Sequence, residues 1–276
     1  MLKNILIAFV LLFALASVGS AHPLGNFSIN QFARIAPGVS ELRIHQVIDM
    51  AEIPTFQESA KIDTDRNGTL SKDELESYGA AFTSGYLANL QLLINGEQVS
   101  IKAVATELKI GKGAGDLSTL RFEWDLSASV SVSNESNSVA YRNLNFPDRL
   151  GWNEIVIERQ PGLNVFDSDG FGSGLTDELK TYPQDLLTAP LAERSAVFSF
   201  SAAAPSGARP LLDREGRPTV AVQKDKLAEL ISVDKITPAI VIIGILIALG
   251  LGALHAMSPG HGKTIVGAYL VGSQER

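Results

Sequence analysis

Two groups of residues in this sequence have the types and spacing to handle metal ions. In DTDRNGTLSKDE, Asp63 to Glu74, oxygen donors recur where a twelve-residue calcium loop needs them. Asp63, Asp65 and Asn67 offer side-chain oxygens at positions 1, 3 and 5. Thr69 offers its backbone carbonyl, Ser71 acts directly or through a water, and Glu74 closes the set with both carboxylate oxygens. Gly68 stands where the chain must turn sharply with a positive φ, and Leu70 is an apolar anchor for the loop. The second group is HAMSPGHGKT, which sets His255 and His261 on either side of Pro259-Gly260. Neutral imidazole suits nickel, cobalt, zinc and copper, whereas calcium and magnesium prefer oxygen.

The ending HGKT imitates a phosphate-binding loop, but that motif requires a glycine where this chain has Met257. It should also follow a buried strand, and here a long apolar run precedes it, so the stretch does not read as a nucleotide site. The chain has no cysteine, which rules out disulfides and thiolate metal sites and leaves oxygen donors and four histidines as ligands. The 23 basic and 30 acidic residues give a net charge of −7. That balance argues against nucleic acid as a partner and favours attraction of cations. No nucleophile–base arrangement and no zinc-hydrolase spacing is present, so the sequence does not read as an enzyme.

The elements that must position these groups are legible in outline. Residues 1–21 read as a signal peptide, with Lys3, an apolar core from Ile5 to Leu15, and small residues before the cut. Cleavage would leave His22 at the N-terminus, where its amine and imidazole together could chelate a transition metal. Residues 22–205 read as an exported β-rich domain. In TLRFEWDL, Leu120, Phe122, Trp124 and Leu126 share one face, as a half-buried strand requires. Asn95-Gly96 between apolar runs predicts a hairpin. NFSINQFARI, ELRIHQVI, WNEIVIE and SAVFSFS read as further strands, and helix is expected around residues 54–90, flanking the Asp63–Glu74 loop. FDSDGFGSGLTDE reads as a glycine-rich turn. Residues 206–235 look like a proline-rich linker and a juxtamembrane segment. From Pro238 to Met257 the run is apolar apart from His255, and at 1.5 Å per residue it spans roughly 30 Å, the thickness of a bilayer core.

The Asp63–Glu74 loop with helical segments on both sides resembles an EF-hand. LGALHAMSPGHGKTIVGAYLVGS resembles the first membrane segment of the nickel/cobalt transporter (NicO-type) family, which shares the H-A-x-x-P-G-H-G-K pattern. HPLGNFSINQFARI, DMAEIPTF, NFPDRLGWNEIV and TYPQDLL are similar to the periplasmic domain found ahead of some members. The resemblance implies that His255 and His261 are metal-pathway residues for Ni2+ or Co2+, with Pro259, Gly260 and Gly262 shaping a break in the helix. It also implies a bacterial inner-membrane location, contact with membrane lipid, and the N-terminal domain in the periplasm. After the span, residues 236–276 hold only Thr264 to Gly272 as a further apolar stretch, too short to cross a bilayer. The expectation is therefore an N-terminal portion of a transporter whose further transmembrane helices are missing from this chain. The alternative is a membrane-tethered periplasmic calcium-binding or metal-capturing module with no transport activity of its own. The expected fold is an exported β-rich, sandwich-like domain with an inserted helix-loop-helix EF-hand, followed by an α-helical transmembrane segment.

Overall fold

A computed structural model of the chain describes residues 23–130 and 136–219, together with Ile245, Ala248 and Leu249. Ten strands and two helices occur in the order β1 Ile29–Pro37, β2 Glu41–Met50, α1 Glu52–Ile62, α2 Lys72–Ala88, β3 Leu90–Ile94, β4 Glu97–Gln98, β5 Lys102–Lys112, β6 Ser118–Ser129, β7 Asn137–Asn143, β8 Asn153–Ile157, β9 Asn164–Phe166 and β10 Ser195–Ser201. They form two five-stranded sheets, ordered β5-β6-β2-β1-β8 and β4-β3-β7-β10-β9. Most ladders are antiparallel, but β1 and β8 run parallel.

The alternation in β6 sets the inner face of the first sheet. Leu120, Phe122, Trp124, Leu126 and Ala128 are all buried, as the period of two predicts. Ile29, Ala33 and Ile35 of β1 and Ile44, Ile48 and Met50 of β2 continue that face. Leu92 and Ile94 of β3, Val139 and Tyr141 of β7, and Phe198 and Phe200 of β10 meet it from the second sheet in one core. A one-residue slip in any of these strands would turn its apolar set outward, so the core fixes the register. The predicted hairpin joins β3 to β4, with Asn95 and Gly96 at φ 53° and 82°, the left-handed pair that a tight two-residue turn needs.

The first sheet is buried on its outer side as well. Phe32, Val47, Trp152 and Val156 point outward and pack under Leu179, with Leu175, Tyr182, Leu186 and Leu191 around them. The glycine-rich segment predicted as a turn is thus the start of a long cover. Residues beyond 205, predicted as linker, also belong to the sandwich as far as Thr219. Pro210 bridges to Phe166, Leu212 to Pro218, and Arg214 forms two bonds to Glu193, at 3.0 and 2.8 Å. Composition misled there because Pro and Gly also serve in packed hairpins.

α2 lies over the inner face. Phe82 stacks on Phe122 with ring centres 4.5 Å apart, Tyr86 stacks on Trp124 at 4.8 Å, and Trp124 donates its indole N–H to Thr83 at 2.8 Å. At the helix end, the Tyr86 hydroxyl donates to Gln31 Oε1 at 3.0 Å, and Asn143 donates to the same oxygen at 2.9 Å. Burial pushes the Tyr86 hydroxyl far above its ordinary range, so it stays a donor at any working pH. Among the described residues no helix is long and apolar enough to cross a membrane. The apolar run 238–257, apart from the three positions named, lies outside them, as do residues 1–22.

Trp124 is fully buried at the meeting point of both sheets and α2. Trp124→Ala is expected to lower the unfolding free energy by about 3–5 kcal/mol in urea titrations. Val197→Ala, at a half-exposed position, should change it by less than about 0.5 kcal/mol.

Candidate metal centre

The loop between α1 and α2 takes its shape from its own side chains. α1 ends when Ile62 turns into the core and the Asp63 amide donates to Ser59 O at 2.9 Å. Asp63 then turns its carboxylate along the loop and accepts from the amides of Asn67 at 3.0 Å and Gly68 at 2.9 Å. Asp65 accepts from the Asn67 amide at 3.1 Å, and Asn67 Oδ1 accepts from Thr69 at 2.7 Å. These Asx turns reverse the chain, and Gly68 takes the tight corner at φ 78°. A side chain there would meet no neighbour, so the cost of replacing it is backbone strain.

α2 opens on a capping box. The Ser71 hydroxyl accepts from the Glu74 amide at 3.3 Å, and Glu74 Oε2 accepts from the Ser71 amide at 3.0 Å. Glu74 Oε2 also accepts the Ser71 hydroxyl at 2.7 Å. Its other oxygen reaches across to the loop entrance, accepting from the Thr64 amide at 2.7 Å and the Thr64 hydroxyl at 3.0 Å. One carboxylate therefore clasps both ends of the loop. Thr64 does not figure among the calcium-ligand positions, and only the folded loop reveals its part.

Carboxylate oxygens of Asp63, Asp65 and Glu74 converge within 4.8 Å of one another. Three negative groups at that spacing repel unless a cation or hydrogen-bond donors lie between them, and here amides supply part of the compensation. Hard oxygen donors suit calcium and offer nothing soft to nickel or cobalt. Glu74 already accepts at both oxygens, so a bidentate cation would take over some of those lone pairs. Ser71 and Asn67 add neutral side-chain oxygens in the same loop.

The loop forms one wall of a cleft of about 440 Å³, lined also by Phe56 of α1, Ile110 of β5 and Leu117 of the β5–β6 connection. Behind it, the Tyr78 hydroxyl of α2 donates to Glu58 of α1 at 2.7 Å and ties the two helices together. His22, His255 and His261 lie outside the described residues. His45 is on the outer face of the first sheet, with Nδ1 2.9 Å from Asp125 and Nε2 4.0 Å from Glu178. Arg34, 2.8 Å from the same Glu178 oxygen, makes that corner an ion-pair cluster rather than a cation site. No family model matches this chain, and no curated protein resembles it significantly.

The hydroxyl of Ser71, with help from its amide and from Thr64, holds the Glu74 carboxyl at a pKa of about 2, below its ordinary 4.5. A depressed value means that the clasp is complete above the ordinary carboxylate range and is lost as pH falls through about 2. In NMR titrations the amide shifts of Thr64 and Ser71 should therefore move with a midpoint near pH 2. A common midpoint near 4.5 would show that Glu74 is not held this way.

Proposed function

We propose that the exported domain binds one calcium ion through Asp63, Asp65, Asn67, Thr69, Ser71 and Glu74, in an EF-hand loop. The observation that carries this reading is the convergence of three carboxylates on a loop whose glycine already has the left-handed turn. Asp63 and Asp65 contribute charge, Asn67 and Thr69 neutral oxygens, and Glu74 both carboxylate oxygens. Ser71 acts directly or through a water. Dissociation constants on the order of 10⁻⁴ to 10⁻³ M are ordinary for extracellular calcium modules. The ion's role is structural, joining α1 to α2 at the point where both leave the core.

This domain stands ahead of a membrane portion that moves Ni2+ or Co2+. The support is the pattern His255-x-x-x-Pro259-Gly260-His261 at the end of an apolar run. An ionisable side chain at membrane depth is costly and marks an ion path by default. Pro and Gly interrupt the helix, and broken helices are how many transporters expose backbone oxygens and ligands to a substrate ion. The calcium loop and the histidines are separate devices, hard oxygen ligands in one and imidazoles in the other.

Glu74→Gln removes the charge that closes the loop and should weaken calcium binding at least about tenfold in calorimetry. Unchanged calcium heats would remove the calcium assignment. In a chain carrying the further helices that the resemblance implies, His255→Ala or His261→Ala should abolish nickel or cobalt movement. Both should leave membrane insertion and calcium binding intact. Parental transport rates in both variants would refute the metal-path reading without touching the calcium one.

A further inference from the structure

Three of the four sheet edges are short or covered within the described residues. β4 has two residues. β9 is met by the 209–211 segment, with Asp167 N to Arg209 O at 2.9 Å and Leu211 N to Val165 O at 3.2 Å. β8 is flanked by Asn153 N to Leu191 O at 2.7 Å, Glu193 N to Asn153 O at 2.9 Å, and Ile157 N to Phe171 O at 2.8 Å. β5 differs from all of them. Its 11 residues are exposed almost throughout, it pairs only with β6, and no described residue hydrogen-bonds to its outer backbone groups. A long open edge is a template for another strand.

This edge is selective about what it accepts. A bulge between Ala103 and Ala105 breaks the ladder at Val104. The charged residues Lys102, Lys109 and Lys112 discourage indiscriminate pairing. Between the bulge and Lys112, the stretch Ala105–Gly111 is regular and has Leu108 at its centre. Across the β5–β6 ladder, Glu107 stands opposite Glu123 and Lys109 opposite Arg121. Like charges directly opposite are unfavourable, and the compensating pairs run along each strand, Lys109–Glu107 at 2.8 Å and Arg121–Glu123 at 2.6 Å. A strand that brought the opposite sign to each position would satisfy both.

We propose that β5 pairs antiparallel with β5 of a second copy of this chain, about a two-fold axis at Leu108. In that register Glu107 faces the second copy's Lys109 and Lys109 faces its Glu107. Leu108 faces itself, Thr106 faces Ile110, and Ala105 faces Gly111. The bulge ends the ladder on one side and Lys112 ends it on the other. The two first sheets become one continuous sheet, and a self-complementary patch on a two-fold axis closes at the dimer.

The natural absence of cysteine makes this directly testable in the full chain in detergent micelles. Leu108→Cys places one thiol on the axis and should give a disulfide-linked dimer on mild oxidation. Glu97→Cys, on the short β4 edge, should give no disulfide-linked dimer under the same oxidation. Without cysteine, Glu107→Lys should weaken association roughly tenfold by sedimentation, and adding Lys109→Glu should restore it. Both positions are exposed, so folding is expected to be retained, and circular dichroism checks that. A monomeric parent, equal cross-linking at positions 97 and 108, or a charge swap that fails to restore association would each overturn the proposal.

Discussion

Phe82 and Tyr86 of α2 stack on Phe122 and Trp124 of β6, and this aromatic contact seats the helix on the first sheet. α2 links the Asp63–Glu74 loop to the second sheet, since its start carries Glu74 and its end leads into β3. Had the stack not formed, the loop would be a tether on two marginal helices, because short helices do not persist in water without a packed face. With it formed, the Tyr86 hydroxyl is delivered to Gln31 and Asn143, and a row of buried amides is satisfied. Such a network stabilises only when every member finds a partner.

The same accounting explains the far side of the molecule. Glu154 is buried, and a buried carboxylate costs several kcal/mol unless it is paired and hydrogen-bonded. Trp152 Nε1 donates to it at 3.0 Å, and Thr176 Oγ1 and the Leu175 amide do the same. Arg214 stands 4.0 Å away while holding Glu193. Apart from Trp152, these partners come from the cover over the first sheet and from the hairpin beyond residue 205. Packing those segments down is thus the condition for burying Glu154 at all. The left-handed residues Asp177, Glu178 and Leu179 lie in that cover, where Glu178 meets Arg34 and Leu179 enters the outer core. Three such residues in succession persist only where surrounding contacts hold them.

The metal loop is a contrast in scale. Its hydrogen bonds run between residues at most ten apart, and nearly all of its polar atoms remain accessible. It would keep its shape on any pair of helices set at the right distance. The sheet needs partners more than a hundred residues away, as when Asn143 and Asn153 both reach Gln31.

That difference in range separates what the sequence determined by itself from what the tertiary structure decided. The loop, the Asn95-Gly96 turn and the buried face of β6 were legible because each depends on residue type and near-neighbour spacing. β5 escaped because KAVATELKIGK is exposed nearly throughout, so its weak alternation of Val104, Leu108 and Ile110 marks no deeply buried face. The linker reading failed at Arg214 because its partner Glu193 stands 21 residues earlier in the chain, beyond the reach of local pattern. Thr64 was overlooked because a hydroxyl becomes a clasp only once Glu74 arrives beside it. Strand order, the covered outer face and the open edge of β5 follow from which distant surfaces exclude water together, and local pattern does not encode that.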